Sequence, residues 1–201
     1  ALAASAAARD FLPVPLRAAP APVEARYYER LSGGRVRCLL CPRGCLVPDG
    51  RRGHCDVREN RGGVFYTLVH GRPCAVHLDP IEKKPFFHVL PGTSALSIAT
   101  VGCNLDCKFC QNWQISQSRP EDADAAHAGR ELIVERASSS LAPSIAYTYG
   151  EPVVFIEYAQ DIAELARARG IRSVVVSNGY IRKVKFYPRR LSNSELAALV
   201  A

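Results

Sequence analysis

The chain has 201 residues, of which 48% are hydrophobic, and its formal net charge is +7. This length and apolar content suffice for one full domain, or for a small domain and part of a second. No run of 18 or more apolar residues occurs, so the sequence predicts no transmembrane helix. The Lys and Arg residues are scattered rather than blocked, which favours a solvated basic surface over nucleic-acid binding.

The first segment, residues 1–22, is rich in Ala and Pro and predicts a disordered or weakly helical extension. The alternative is the tail of an export signal, because Ala19-Pro20-Ala21 loosely fits a cleavage site. The chain contains no methionine, even at position 1, so we expect that translation began upstream.

The second segment, residues 23–92, predicts a small cysteine-rich α+β domain. Residues 24–31 read as a short helix, and residues 35–62 show little periodicity. Strands are predicted at residues 64–70 and 73–78, where apolar and aromatic residues dominate.

Four cysteines in this segment have the spacing C-x₂-C-x₃-C-x₉-C. They are Cys38, Cys41, Cys45 and Cys55. Four soft ligands in one loop would close a tetrahedral zinc site or hold a second iron–sulfur cluster. The favoured interpretation is a structural metal ion that stabilises a domain with a small hydrophobic core, and zinc is the favoured metal. The even total of eight cysteines also fits disulfides, but the tight spacings favour metal ligation in a reducing compartment.

Two further features of residues 23–92 concern Cys74 and a charged turn. Cys74 stands alone in an apolar strand and is expected to be a buried core thiol. The turn carries Asp79, Glu82, Lys83 and Lys84, for which ion-paired surface is the simplest interpretation and a substrate-facing role is the alternative.

The third segment, residues 93–201, predicts alternating strands and helices and therefore a parallel sheet or barrel. The predicted elements are a strand at 95–101, a helix at 123–141, a strand at 144–148, a helix at 153–169 and a strand at 171–177. Residues 190–201 read as an amphipathic helix.

Each predicted parallel strand is followed by a loop with polar or thiol side chains. The loops are the cysteine loop at 102–110, Tyr149-Gly150-Glu151-Pro152, and Asn178-Gly179-Tyr180. Because ligands gather at the carboxyl ends of parallel strands, we expect these loops to lie on one rim.

The cysteine loop places Cys103, Cys107 and Cys110 in the spacing C-x₃-C-x₂-C. Three close thiolates suit an iron–sulfur cluster or zinc. Zinc needs a fourth ligand, for which His127 is the nearest downstream candidate. A 4Fe–4S cluster held by three cysteines leaves one iron open to a substrate or cofactor.

The loop and its flanks resemble those of radical S-adenosylmethionine (SAM) enzymes, in which an aromatic residue precedes the third cysteine. The wider pattern, from about residue 25 to residue 181, resembles the radical SAM member of the AmmeMemoRadiSam system, a relative of the pyruvate formate-lyase-activating enzymes. The motifs that carry this resemblance are Asp79-Pro80-Ile81-Glu82-Lys83-Lys84-Pro85, Pro91-Gly92, Gly102-Cys103-Asn104 and Cys110-Gln111-Asn112-Trp113.

The resemblance implies an α/β fold, the N-terminal half of a radical SAM partial (β/α)₆ barrel, behind the cysteine-rich domain. Only about three βα units fit between residues 95 and 201, so the chain looks truncated. The implied reaction is reductive cleavage of SAM by a 4Fe–4S cluster on Cys103, Cys107 and Cys110. The product is a 5′-deoxyadenosyl radical, which abstracts hydrogen from an unknown substrate.

The resemblance also assigns cofactor-binding residues. Phe109 is expected near the adenine of SAM, with a loop anchor packed on the core as the alternative. Gly150 and Glu151 match the Gly-Gly-Glu-Pro motif, in which the carboxylate meets the methionine amino group, although Tyr149 replaces the first glycine. Asn178 is a further SAM contact or an ordinary turn residue. No catalytic residue beyond the cluster ligands is implied.

The implied partners are an electron donor such as flavodoxin or ferredoxin and a substrate that is either a protein or a small molecule. No nucleic acid or membrane is expected as a partner, and the expected location is the cytoplasm. Two alternatives stay open: a glycyl-radical-enzyme activase, and a non-catalytic zinc-binding protein.

Overall fold

The computed structural model describes residues 21–123, 125 and 127–182. Most of the predicted extension at 1–22 and the predicted helix at 190–201 lie outside these residues. Within the described part of the chain, no helix is long and apolar enough to cross a membrane.

The N-terminal part holds two small antiparallel sheets. One has the order β1-β6-β5, formed by Val23–Glu24 (β1), Val64–Thr67 (β6) and Arg58–Arg61 (β5). The other has the order β2-β3-β4, formed by Tyr28–Arg30 (β2), Val36–Cys38 (β3) and Leu46–Val47 (β4). A 3₁₀ turn at Ser32–Gly34 joins β2 to β3.

The predicted helix at 24–31 is wrong, because this segment forms β1 and β2. Tyr28 pairs with Cys38 across the sheet, and its ring lies 5.7 Å from the ring of Phe65. An isolated helix of eight residues is marginal in water, so pairing with distant strands outweighs the local propensity.

A four-stranded sheet forms the centre of the molecule, with the order β10-β9-β8-β7. Its strands are Ala75–Pro80 (β7), Ser94–Ala99 (β8), Ser144–Tyr147 (β9) and Arg172–Val175 (β10). β8, β9 and β10 are mutually parallel, which confirms the predicted βαβ pattern. β7 pairs with β8 in antiparallel orientation, so residues from both predicted domains share this sheet. The division at residue 92 stays a prediction.

Three α-helices lie in the described residues: Trp113–Ser116 (α1), Arg130–Ser139 (α2) and Ile156–Ala168 (α3). Two further 3₁₀ turns occupy Ile81–Lys83 and Pro152–Phe155. α2 is shorter than the predicted helix at 123–141. The predicted apolar stripe of α3 is confirmed, since Ile156, Ala159, Ile162 and Ala166 are all buried.

The core divides along the alternation of side chains in the strands. Leu96, Ile98 and Ile145 face α2 and α3 and pack in the largest apolar cluster. Ala95 and Ala146 belong to a separate cluster. That cluster also contains Ile81, Phe86 and Val174, so the turn after β7 covers the second face of the sheet. Burial on both faces is typical of a parallel sheet.

Candidate cluster and cofactor site

The three loops that follow β8, β9 and β10 are joined by hydrogen bonds. The Asn178 side-chain amide donates to Asn104 Oδ1 at 2.9 Å, which links the third loop to the cysteine loop. The Asn112 side-chain amide donates to the carbonyl of Tyr149 at 2.9 Å and links the cysteine loop to the second loop. The rim predicted from the parallel strand order is therefore present.

The three cysteines of the loop differ in exposure. Cys103 is partly buried, and its sulfur accepts a hydrogen bond from the Leu105 amide at 3.4 Å. Burial raises the pKa of the Cys103 thiol, and the Leu105 amide opposes that rise. The sulfur of Cys110 lies 3.3 Å from the Ser116 hydroxyl oxygen, whereas Cys107 is exposed.

These thiols do not form a ready site for one ion. No group of three Cys, His, Asp or Glu side chains in the described residues is arranged to hold a metal ion. In a 4Fe–4S cluster each cysteine binds a different iron, so its ligands need not converge on one point. The donor set of three thiolates fits such a cluster. His127, the candidate fourth zinc ligand, has its Nδ1 atom 3.1 Å from the carbonyl oxygen of Gly71.

Asn104 is a site residue to which the sequence assigned no role. It is 2% exposed, and its amide donates to the carbonyl of Tyr180 at 2.8 Å. With the bond from Asn178, this fastens the residue after Cys103 to the loop that follows β10. The only sequence signal is its place inside Gly102-Cys103-Asn104. The Asn178 side chain also lies 3.9 Å from the sulfur of Cys103.

Glu151 is buried, with 3% exposure, and its carboxylate is held by protein donors. One oxygen accepts from the Val153 amide at 3.0 Å and from the Ser177 hydroxyl at 2.8 Å. The other accepts from the Asn178 amide at 2.8 Å. A carboxylate offers about four lone-pair sites, so about one site is left for a further donor.

Gly150, the other residue predicted from the same motif, packs closely against the end of β8. A Cβ atom at this position would lie 2.9 Å from the carbonyl oxygen of Thr100. A side chain at residue 150 would therefore force the second loop away from the cysteine loop.

Tyr149 adopts a left-handed backbone conformation, with φ of 62°. Glycine adopts this conformation readily, whereas a tyrosine needs other contacts to hold it there. Such contacts allow Tyr149 to occupy the position at which the motif has glycine. Its hydroxyl donates to the carboxylate of Asp79, and the Lys84 ammonium lies 4.1 Å from the centre of its ring.

The charged turn is not simply ion-paired surface, because Asp79 and Lys84 are buried, with 6% and 2% exposure. The Asp79 carboxylate accepts from the Lys84 ammonium at 2.7 Å and from the more exposed Lys83 ammonium at 2.8 Å. Burial alone would raise the pKa of Asp79, but hydrogen bonds from Lys83, Lys84 and Tyr149 hold it well below its usual range. Glu82 accepts from the Gly92 amide at 2.6 Å.

Phe109 is 90% exposed, which contradicts the alternative of a loop anchor packed on the core. Trp113, the first residue of α1, is 60% exposed.

Cys74 is partly buried, with its sulfur 3.6 Å from the carbonyl oxygen of Ala99, and burial raises the pKa of its thiol to about 11. Cys38, Cys41, Cys45 and Cys55 line a separate cavity beside the cysteine loop.

Comparison with known families agrees with this geometry. Residues 97–193, which include the cysteine loop, β9 and β10, match the model of the Radical SAM superfamily. This part of the chain is therefore similar to the domains of the Radical SAM superfamily.

Two curated proteins are similar to the chain. An uncharacterized protein of Methanocaldococcus jannaschii is 46% identical over 160 residues, which cover 80% of this chain and 48% of that protein. The 7-carboxy-7-deazaguanine synthase of Halobacterium salinarum is 32% identical over 94 residues, which cover 47% of this chain and 35% of the synthase. The chain therefore spans half or less of the length of these relatives. No solved structure matches the chain significantly.

Proposed function

We propose that the chain belongs to a radical SAM enzyme of the AmmeMemoRadiSam type, related to the pyruvate formate-lyase-activating enzymes. One observation carries the proposal: within the matched domain, the three-cysteine loop is hydrogen-bonded to the loops after the two neighbouring parallel strands. Carboxyl ends of parallel strands are where such sheets bind ligands.

Cys103, Cys107 and Cys110 are the proposed ligands of a 4Fe–4S cluster, with one iron left for SAM. When bound, the cluster supplies the electron that cleaves SAM to methionine and a 5′-deoxyadenosyl radical. The protein's own task is to place the thiols. Asn104, the residue after Cys103, is held by the hydrogen bond from its side chain to the Tyr180 carbonyl. The Ser116 hydroxyl contacts the sulfur of Cys110.

The second loop is the proposed binding site for the methionine part of SAM. Glu151 keeps about one acceptor site beyond the three that protein donors fill, and an ammonium group is a suitable donor for it. Gly150 allows the close approach of this loop to Thr100. Phe109, with its ring exposed on the cysteine loop, is the proposed neighbour of the adenine.

Reductive cleavage of SAM would consume one electron, which must come from outside the chain. An electron donor such as flavodoxin or ferredoxin is the proposed partner, and the substrate is a small molecule or a protein.

Anaerobic reconstitution with iron and sulfide tests the proposal. We expect the reduced parent chain to give a 4Fe–4S paramagnetic resonance signal that changes when SAM is added. The triple variant Cys103→Ala/Cys107→Ala/Cys110→Ala should lose this SAM-sensitive signal. Cys74→Ala, which removes a thiol outside residues 97–193, should keep it.

Two results would contradict the proposal. A triple variant with an unchanged SAM-sensitive signal would remove these cysteines from the site. A parent chain that takes up zinc but no iron or sulfide would favour the non-catalytic zinc-binding protein.

A further inference from the structure

Four thiols outside the radical SAM loop surround one cavity. Cys38, Cys41, Cys45 and Cys55 all line it, and its volume is about 20 Å³. All four are free thiols rather than disulfides. This grouping is not used by the proposed reaction.

Two chain segments bring the thiols together. Cys38 ends β3, and its amide donates to the carbonyl of Cys45 at 3.0 Å. The Gly44 amide donates to the carbonyl of Cys41 at 3.1 Å, which closes a tight turn between the second and third cysteines. Cys55 arrives from a separate turn, in which a Cβ atom added at Gly53 would lie 4.0 Å from the sulfur of Cys45.

The size of the cavity indicates what it can hold. A space of about 10–15 Å³ on this measure holds one water-sized sphere, so this cavity admits one small ion. Four cysteine thiolates around one ion is a common structural zinc site.

The cavity also adjoins the cysteine loop of the radical SAM domain. Arg43, which stands between Cys41 and Cys45, donates from Nε to the carbonyl of Asn104 at 2.8 Å. His54 Nε2, next to Cys55 in sequence, lies 2.9 Å from Asp106 Oδ2. The four-cysteine turns therefore touch the loop that carries Cys103 and Cys107.

We infer that Cys38, Cys41, Cys45 and Cys55 bind a single zinc ion, which orders both turns and thereby braces the radical SAM cysteine loop through Arg43 and His54. The described residues hold no group already arranged as a metal site, so binding draws the four thiols inward as they lose their protons. Arg43 and Arg58 are also lining residues of the cavity, so positively charged residues lie beside the four thiols. The zinc site stands alone, whereas its effect on a cluster rests on the proposed function.

Metal analysis of the full chain tests the zinc site. We expect one zinc for each chain, and one cobalt after substitution, with the intense charge-transfer absorption of several thiolate ligands. Cys45→Ser should lose at least about tenfold in zinc affinity. The triple variant at Cys103, Cys107 and Cys110 should keep the zinc, which separates this inference from the proposed function.

Two outcomes would overturn the zinc site. Iron and sulfide retained by the triple variant but lost on adding Cys45→Ser would show a second cluster there. The second outcome is a chain that binds no zinc and has the same melting temperature whether or not zinc is added. It would show that the four thiols only pack against one another.

Hydrogen exchange tests the brace without any cluster. Zinc removal should accelerate exchange of the Leu105 amide by about tenfold or more, the effect expected from losing a charge-assisted hydrogen bond. Amides of β9 serve as the internal control and should change less. Arg43→Ala should accelerate exchange at Leu105 while the chain keeps its zinc. Unchanged exchange at Leu105 in Arg43→Ala would overturn the brace and leave the zinc site standing.

Discussion

At Glu151, one buried carboxylate ties two loops of the rim together. It accepts from the first turn after Glu151, through Val153, and from the loop after β10, through Ser177 and Asn178. The same carboxylate is the proposed partner of the SAM ammonium. Its role in binding therefore depends on its role in positioning, because protein donors fix the direction of its remaining lone pair.

Replacement of Glu151 by Ala should weaken both folding and SAM binding. Loss of a charge-assisted hydrogen bond costs on the order of 1.5–3 kcal/mol, and three protein bonds to this group are lost at once. Urea unfolding measures the stability, and calorimetric titration at a temperature where the variant is folded measures SAM affinity.

The exposed carboxylate of Glu131, on α2, offers a matched control. Glu131→Ala should change stability by about 0.5 kcal/mol or less and leave SAM affinity unchanged, because the side chain is 68% exposed. Equal SAM affinity in Glu151→Ala and the parent chain would remove Glu151 from the SAM site.

Among the elements, the contact between β5 and α3 is set by one buried ion pair. Arg58 donates from Nη1 to Glu157 at 3.0 Å, and both side chains are 1% exposed. Arg58 also donates to the carbonyl of Val154 at 3.2 Å, and the Arg26 amide donates to Glu157. Burial would raise the pKa of Glu157, but Arg58 lowers it below its usual range, so the carboxylate stays charged.

We expect Glu157→Gln to destabilise the chain by about 3–5 kcal/mol, because it leaves the Arg58 charge buried without its counter-ion. The double variant Arg58→Met/Glu157→Leu should recover much of this loss, since it removes both charges. Denaturant unfolding of the three chains measures the difference.

An exposed pair in the same N-terminal part supplies the control for this prediction. Glu29 and Arg37 are 43% and 44% exposed, so Glu29→Gln should cost about 1 kcal/mol or less. Equal losses in Glu157→Gln and Glu29→Gln would show that the buried pair does not hold β5 to α3.

Across the whole molecule, the N-terminal part packs against the residues that match the Radical SAM superfamily. Val36, Val47 and Phe65 share an apolar cluster with Val153 and Ile156, which follow the second loop of the rim. Gly102, directly before Cys103, meets Cys55 and Val57 of the N-terminal part. The cysteine loop therefore begins at the contact between the two parts.

Gly102→Ala should disturb this contact. A Cβ atom there would lie 2.5 Å from Val57 Cγ1 and 2.8 Å from the carbonyl oxygen of Cys55, and φ is +91°. We expect a loss of stability of more than about 1 kcal/mol, from backbone strain and the clash together. Thermal and denaturant unfolding measure this loss.

Gly92→Ala isolates the clash from the strain. Gly92 also has a positive φ, of +73°, but a Cβ atom there would meet nothing within 4 Å. We expect the smaller loss from Gly92→Ala. If the two variants lose the same stability, the packing of the N-terminal part on residue 102 contributes nothing measurable.

The sequence by itself determined the features that depend on local pattern. Apolar runs predicted β8, β9 and β10, because a strand buried on both faces of a parallel sheet is apolar along its whole length. Helical spacing of apolar residues predicted α3, because only one face of that helix packs on the core. The spacing of Cys103, Cys107 and Cys110 predicted the thiol loop, which lies within the residues that match the Radical SAM superfamily.

Only the tertiary structure decided the contacts between distant segments. Arg58 and Glu157 are 99 residues apart, Asn104 and Asn178 are 74 apart, and Arg43 and Asn104 are 61 apart. Residues 24–31 formed strands because their partners lie elsewhere in the chain. Asp79 and Lys84 are buried and contact Tyr149, which is 70 residues from Asp79. The spacing of residues along the sequence does not show which distant side chains come into contact, because that depends on the path of the chain between them.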